Sequence, residues 1–266
     1  MNIDVENIDL ETVCTNLGFE VNPYLFKGRD RTNLLEISRN DRFICMVSNR
    51  YKLVPNEVVK AIAEDVAETV GAEMIDIYEE DENLIVHYLL DEFELSNGTK
   101  ARAGFYVTNS VGGGMSFRIK SFLMYDDKII YLGTLISGIV RKHTTNIDID
   151  MQKVIGTAND AIARAVAFAW NLDDWKHISV KYGKGIGLIE KIRVSNLPNV
   201  YRPSYLLKPT TRVKESQIPD TPPGLTLFGM YMDLIHAINY PPTGRLSEKT
   251  KINYFNMVHK ALEEAM

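Results

Sequence analysis

Phe93-Glu94-Leu95-Ser96-Asn97-Gly98-Thr99-Lys100-Ala101-Arg102-Ala103-Gly104-Phe105-Tyr106-Val107-Thr108-Asn109 decides the fold class. Two β-prone runs flank Ser96-Asn97-Gly98-Thr99, and Asn-Gly supplies the left-handed backbone that a tight antiparallel hairpin needs. Working outward, the period stays at two. Glu73–Glu79 and Asn83–Leu90 flank the acidic turn Glu80-Asp81-Glu82. Met115–Met124 and Lys128–Ile136 flank Tyr125-Asp126-Asp127. Upstream, Leu34–Ser38 and Arg42–Val47 flank Arg39-Asn40-Asp41. Successive hairpins predict an antiparallel meander with one buried face.

The period changes to helical on either side. Val58, Val59, Ile62, Ala63, Val66 and Val70 predict a helix opened by Pro55-Asn56, with Asn56 as cap, and closed at Gly71. Val154, Ile155, Ala158, Ala161, Ile162, Ala165, Val166 and Ala169 predict a long helix over about 149–170, its alanines suited to close packing on a sheet. The fold class is α+β: an antiparallel β-meander packed by helices, followed by a helical C-terminal part. Residues 1–33 are expected to be a tether with a short helix at Leu10–Leu17, and 34–170 the core domain. Residues 171–266 form a helical region with a Pro-rich loop at 201–223 and final helices at Leu225–Asn239 and Ser247–Glu264.

Composition narrows the function. With 266 residues, 45% hydrophobic and 24% charged, the chain is globular in character. No run approaches a membrane-spanning length. The first residues lack the basic and apolar regions of a signal peptide, and only Cys14 and Cys45 are present, so free thiols in a reducing cytoplasm are expected. The histidines share no ligand spacing, and no Walker A loop or Gly-x-Ser-x-Gly elbow occurs. No catalytic residue, metal ligand or cofactor is therefore assigned. Glu79–Glu82, Asp91-Glu92-x-Glu94 and Asp148-x-Asp150 are the carboxylates a metal-dependent nuclease would use, but they fall at turns and element ends, where solvated acids are ordinary. Gly112-Gly113-Gly114 is read either as a phosphate-approaching loop or as a flexible hairpin connection.

Charge distribution carries more information than the net −5. Residues 1–99 hold 8 basic and 21 acidic residues, a balance of −13. Residues 100–147 hold 7 basic and 2 acidic, or +5, and 175–214 hold 9 basic and one acidic, or +8. Arg118 and Lys120 alternate with apolar residues, so both project from one face of a strand; Lys128, Arg141 and Lys142 follow. Lys176, Lys181, Lys184, Lys191 and Arg193 are interleaved with Trp175, Tyr182, Tyr201 and Tyr205. Cations along phosphates and aromatic faces for bases are the ingredients of a single-strand site.

Several stretches resemble the phage/plasmid-like family of unknown function found on mobile elements of bacteria and archaea. Val47-Ser48-Asn49-Arg50-Tyr51-Lys52-Leu53-Val54-Pro55-Asn56-Glu57 is similar to that family's Val-Ser-x-x-Tyr-x-Val-Val-x-Asn-Glu block. Asn109-Ser110 with the glycine turn and Phe117-Arg118 resembles a second block, and Arg141-Lys142-His143-Thr144 a third, with Lys142 inserted. Leu227-Phe228-Gly229-Met230-Tyr231 is similar to its C-terminal segment, while the Asp and Cys of the family's glycine turn are missing. The resemblance implies a mobile-element context and no reaction. The expected function is single-stranded DNA binding or annealing by a homo-oligomer, a layout shared coarsely with phage annealing proteins. The alternatives are a metal-dependent nuclease and a protein-interaction or host-inhibitor module presenting the acidic N-terminal third.

Overall fold

A computed structural model describes residues 3, 5, 8–26, 29–80, 82–96, 98–132, 139–141, 150–178, 226–240 and 246–263. Its elements are α1 (Leu10–Asn16), β1 (Phe19–Phe26), β2 (Arg29–Arg39), β3 (Arg42–Ser48), α2 (Asn56–Val70), β4 (Glu73–Glu80), β5 (Asn83–Glu94), β6 (Lys100–Ser110), β7 (Phe117–Tyr125), β8 (Lys128–Tyr131), β9 (Ile139–Arg141), α3 (Met151–Asp174), α4 (Leu227–Asn239) and α5 (Glu248–Glu263). The fold is α+β. One sheet runs β1-β2-β3; a second runs β4-β5-β6-β7-β8, with β9 also paired to β7. The described pairings are antiparallel.

Local chemistry sets these elements. Asn40-Asp41 and Asp126-Asp127 each place two successive residues at positive φ, the tight-turn geometry that matches strand twist and that Asn and Asp tolerate best. Gly71 at φ 72° ends α2 in the left-handed conformation. Thr226 and Ser247 accept from the backbone N–H of Gly229 and Thr250, capping α4 and α5.

The structure departs from the sequence reading in four places. Phe19–Phe26, expected as tether, is a strand: among the described residues β1 pairs with β2 alone, and an edge strand tolerates Pro23, which has no N–H to donate. The hairpins divide between two sheets instead of forming one meander. The second sheet is not buried on one face alone: Leu84–Leu89 of β5 and Ala103–Ser110 of β6 are buried without interruption. Since side chains alternate, both faces of these strands are covered. Asn56 does not cap α2; Pro55 occupies that position, and the Asn56 side chain turns elsewhere.

The chain divides into two compact units, residues 1–90, 104–120 and 138–161, and residues 91–103, 121–137 and 162–266. In the first unit Phe19, Ile37, Val47, Leu53 and Val111 form a buried cluster joined by Cys14, Cys45 and Tyr51. Both cysteines are free; burial pushes the Cys14 thiol up to about 11, leaving a protonated group whose Sγ lies 3.9 Å from the Leu53 carbonyl. Asn109, fully buried, donates to the Val54 carbonyl at 3.0 Å and to Asn56 Oδ1 at 2.9 Å, and Asn56 donates to the Glu82 carbonyl at 3.3 Å. The Tyr51 hydroxyl donates to the Val111 carbonyl at 2.7 Å, with the Ser110 carbonyl at 3.1 Å. Blocks 47–57 and 109–110 thus meet through hydrogen bonds.

In the second unit Phe168, Trp175 and Tyr231 meet edge to face, with Trp175 and Tyr231 centroids 5.3 Å apart. Tyr131 of β8 packs on Phe255 of α5. Asn239 of α4 donates to the Ile129 carbonyl at 2.9 Å, tying that helix to β8. No helix among the described residues is long and apolar enough to cross a membrane.

Asn109→Ala removes two buried hydrogen bonds and strands two acceptors, so it is expected to lower stability by about 1–3 kcal/mol in urea titration, against roughly 1 kcal/mol for Tyr51→Phe. A loss below about 0.5 kcal/mol for Asn109→Ala would show that water replaces the amide pair without cost.

Candidate nucleic-acid interface

The expected cations fall into four sets. Arg118 and Lys120 share a face of β7 and are half-buried. Desolvation, with the neighbouring Arg118 charge, lowers the Lys120 pKa. Lys128 and Lys176 carry carboxylate partners, Asp126 at 2.9 Å and Asp173 at 2.9 Å. Arg141 lies in β9, and the ladder sets it opposite Phe117, with Val140 opposite Arg118. Lys142, Lys181, Lys184, Lys191, Arg193, Tyr182, Tyr201 and Tyr205 lie outside the described residues. Trp175, one of the interleaved aromatics, is a core residue against Phe168 and Tyr231.

The second unit contains an open groove of about 740 Å³. The hairpin that decides the fold builds one wall: Lys100 and Arg102, two residues apart on β6, project to the same side. Lys100 is exposed and pairs with Glu92 at 2.7 Å, an interaction that raises its pKa. Lys176 and Phe228 supply a second wall, the ammonium lying 4.9 Å from the ring centroid. Burial pulls the Lys176 pKa down, but the Asp173 carboxylate and the Tyr125 hydroxyl outweigh it and the net shift is upward. Tyr125 meets Phe228 edge to face at 5.9 Å. The Asp126-Asp127 turn completes the lining. Three cations, two aromatic rings and three carboxylates therefore surround one opening. Of these, the sequence points only to Lys176 as a ligand-binding residue; Lys100-x-Arg102 carries a legible signal that goes unused there, two cations at strand period beside the turn.

Two of the acidic candidates and the glycine turn have structural partners, while Asp81 and Asp148 lie outside the described residues. Asp150 accepts from the Lys153 N–H at 3.3 Å and caps α3. Glu79 pairs with Lys60 at 2.6 Å. The Gly112–Gly114 turn closes on itself, the Gly113 N–H reaching the Ser110 carbonyl and the Gly114 N–H the Ser110 hydroxyl. Among the described residues no three His, Cys, Asp or Glu side chains gather where they could hold a metal ion. No family model, curated protein or solved structure matches this chain.

A buried polar cluster in the same unit sets a pH limit. Tyr231 of α4 and His259 of α5 are fully buried, with the hydroxyl 2.6 Å from Nε2. Burial pushes the His259 pKa down to about 3. The unfolded imidazole titrates near 6.5, so below that pH the unfolded chain binds a proton that the folded one refuses. Stability is fully present above pH ~6.5 and is lost as pH falls toward 3, by about 1.4 kcal/mol per pH unit. His259→Gln is expected to flatten the decline between pH 6 and 4 by one proton's worth. An unchanged slope in pH-dependent urea unfolding would mean that His259 protonates in the folded protein.

Proposed function

We propose that the protein binds single-stranded nucleic acid, most concretely single-stranded DNA in annealing on a mobile element, as a cytoplasmic homo-oligomer. The carrying observation is the groove of the second unit, where Lys100, Arg102 and Lys176 stand beside Phe228 and Tyr125. Cations neutralise backbone phosphates while an aromatic face accepts any base, which gives affinity with little sequence preference. Glu92, Asp126 and Asp127 offer acceptors to exocyclic amino groups of unstacked bases. The positive balance of 175–214 and the resemblance to mobile-element proteins support the same reading. The two free thiols support a cytoplasmic location. The −13 of the N-terminal third opposite the basic segments supports head-to-tail association.

A salt titration with a single-stranded oligonucleotide tests this. Wild type is expected to lose affinity steeply with salt. Lys100→Ala/Arg102→Ala is expected to flatten the log–log slope by about 1.4, since each neutralised phosphate is worth roughly 0.7. Phe228→Leu should cost about 1–3 kcal/mol with little change in slope. Identical slopes for wild type and the double variant, or no binding by wild type at about 50 mM salt, would sink the reading.

One observation favours a second reading, a protein-interaction module. Phe43 and Met46 of β3 stand opposite Ser38 and Glu36, on the face of the three-stranded sheet away from Ile37, and both are about half exposed. That reading takes the lead if wild type binds no oligonucleotide.

A further inference from the structure

The first unit holds an arginine whose surroundings do not account for it. His87 of β5 and Tyr106 of β6 are fully buried neighbours, their ring centroids 6.0 Å apart. The charge of Arg118 on β7 acts on the Tyr106 phenol, pulling its pKa down against the larger upward push of burial. A polar row therefore crosses three strands inside a sheet whose other face is aromatic, with Tyr88 stacked on Phe105 at 5.1 Å. Arg118 Nε is shielded from solvent, and among the described residues it meets no acceptor. No ion pair of Arg118 is found there either.

A guanidinium cannot shed its proton to escape such a site. Its planar fork matches the paired oxygens of a phosphate, and a second cation beside it suits the charge. Lys120 is that second cation, two residues along the same strand face, about 7 Å away by strand geometry. Gly104, two residues from Tyr106 on β6, sets no side chain on the same face. Desolvation already disfavours the charged form of Lys120, and an anion would reverse that. Lys128, Lys176 and Lys100 all have carboxylates in place, whereas among the described residues no carboxylate pairs with Arg118.

We propose that Arg118, flanked by Tyr106 and Lys120, is a binding site for a phosphate oxyanion, with the guanidinium holding two of its oxygens. The site lies within the first unit and does not rest on the groove reading. A phosphodiester of nucleic acid and a free phosphate share this chemistry.

The test measures thermal unfolding of the full chain in rising inorganic phosphate, with chloride balancing ionic strength, beside binding of a labelled single-stranded oligonucleotide. Phosphate is expected to raise the wild-type Tm where chloride does not. Arg118→Gln should weaken the apparent phosphate affinity about tenfold or more, the effect expected of one charge-assisted hydrogen bond. Arg118→Lys should retain part of it. If Arg118→Gln also weakens the oligonucleotide, the bound phosphate belongs to a nucleic-acid backbone; if only the phosphate response falls, the ligand is a free phosphate. Should Arg118→Gln fail to fold, Lys120→Gln carries the comparison. No phosphate response in wild type, or an equal response in the folded variant, overturns the site.

Discussion

The buried pairing of Asn56 with Asn109 is the constraint on which the first unit depends. It joins the opening of α2, the segment before it through the Val54 carbonyl, the start of β5 through the Glu82 carbonyl, and the end of β6. A buried amide is costly unless bonded, so these four places cannot shift independently. Tyr51 adds a second tie at Ser110 and Val111. Burial pushes its phenol up, which keeps the hydroxyl protonated as a donor. The end of β6 is thereby pinned, and with it the position of Tyr106 four residues before Ser110.

This constraint explains which parts of the sequence are legible. α2 and α3 follow their apolar spacing because one stripe of each helix is buried, and Gly71 ends α2 because only glycine enters that conformation freely. The turns at Asn40-Asp41 and Asp126-Asp127 are visible for the same local reason. What local pattern cannot show is coverage of a second face. β5 and β6 read as half-buried strands because their polar members, His87, Thr108, Asn109 and Ser110, look solvent-facing, yet each is buried. Asn56 misleads in the same way: a residue suited to a cap is committed to a partner 53 positions away.

The candidate site divides along the same line. Arg118 and Lys120 are visible from their alternation, but half-burial distinguishes them from cations that track a strand along a surface. Lys100 and Arg102 look like ordinary members of a strand, and only the packing of Phe228 and Lys176 in the second unit makes their side of β6 a groove wall. Trp175, by contrast, is drawn into the core by Tyr231 and Phe168, since a large ring gains more from burial than from waiting for a base.

The ion pairs of the groove bear on how a polyanion would enter it. Lys100–Glu92 is an exposed pair and Lys176–Asp173 a half-buried one. Exposed pairs of this kind contribute about 0.2–1 kcal/mol or less. Exchange of a carboxylate partner for a phosphate is then close to neutral in direct interaction, and release of counterions from the nucleic acid supplies the driving force. The carboxylates hold the ammonium groups in place when no ligand is bound, which lowers the ordering cost of binding. They also repel an anion that brings no counterions to release, such as a small acid. On the proposed reading, a groove with balanced charge and pre-placed cations would select long polyanions over short ones, a property that net charge alone does not provide.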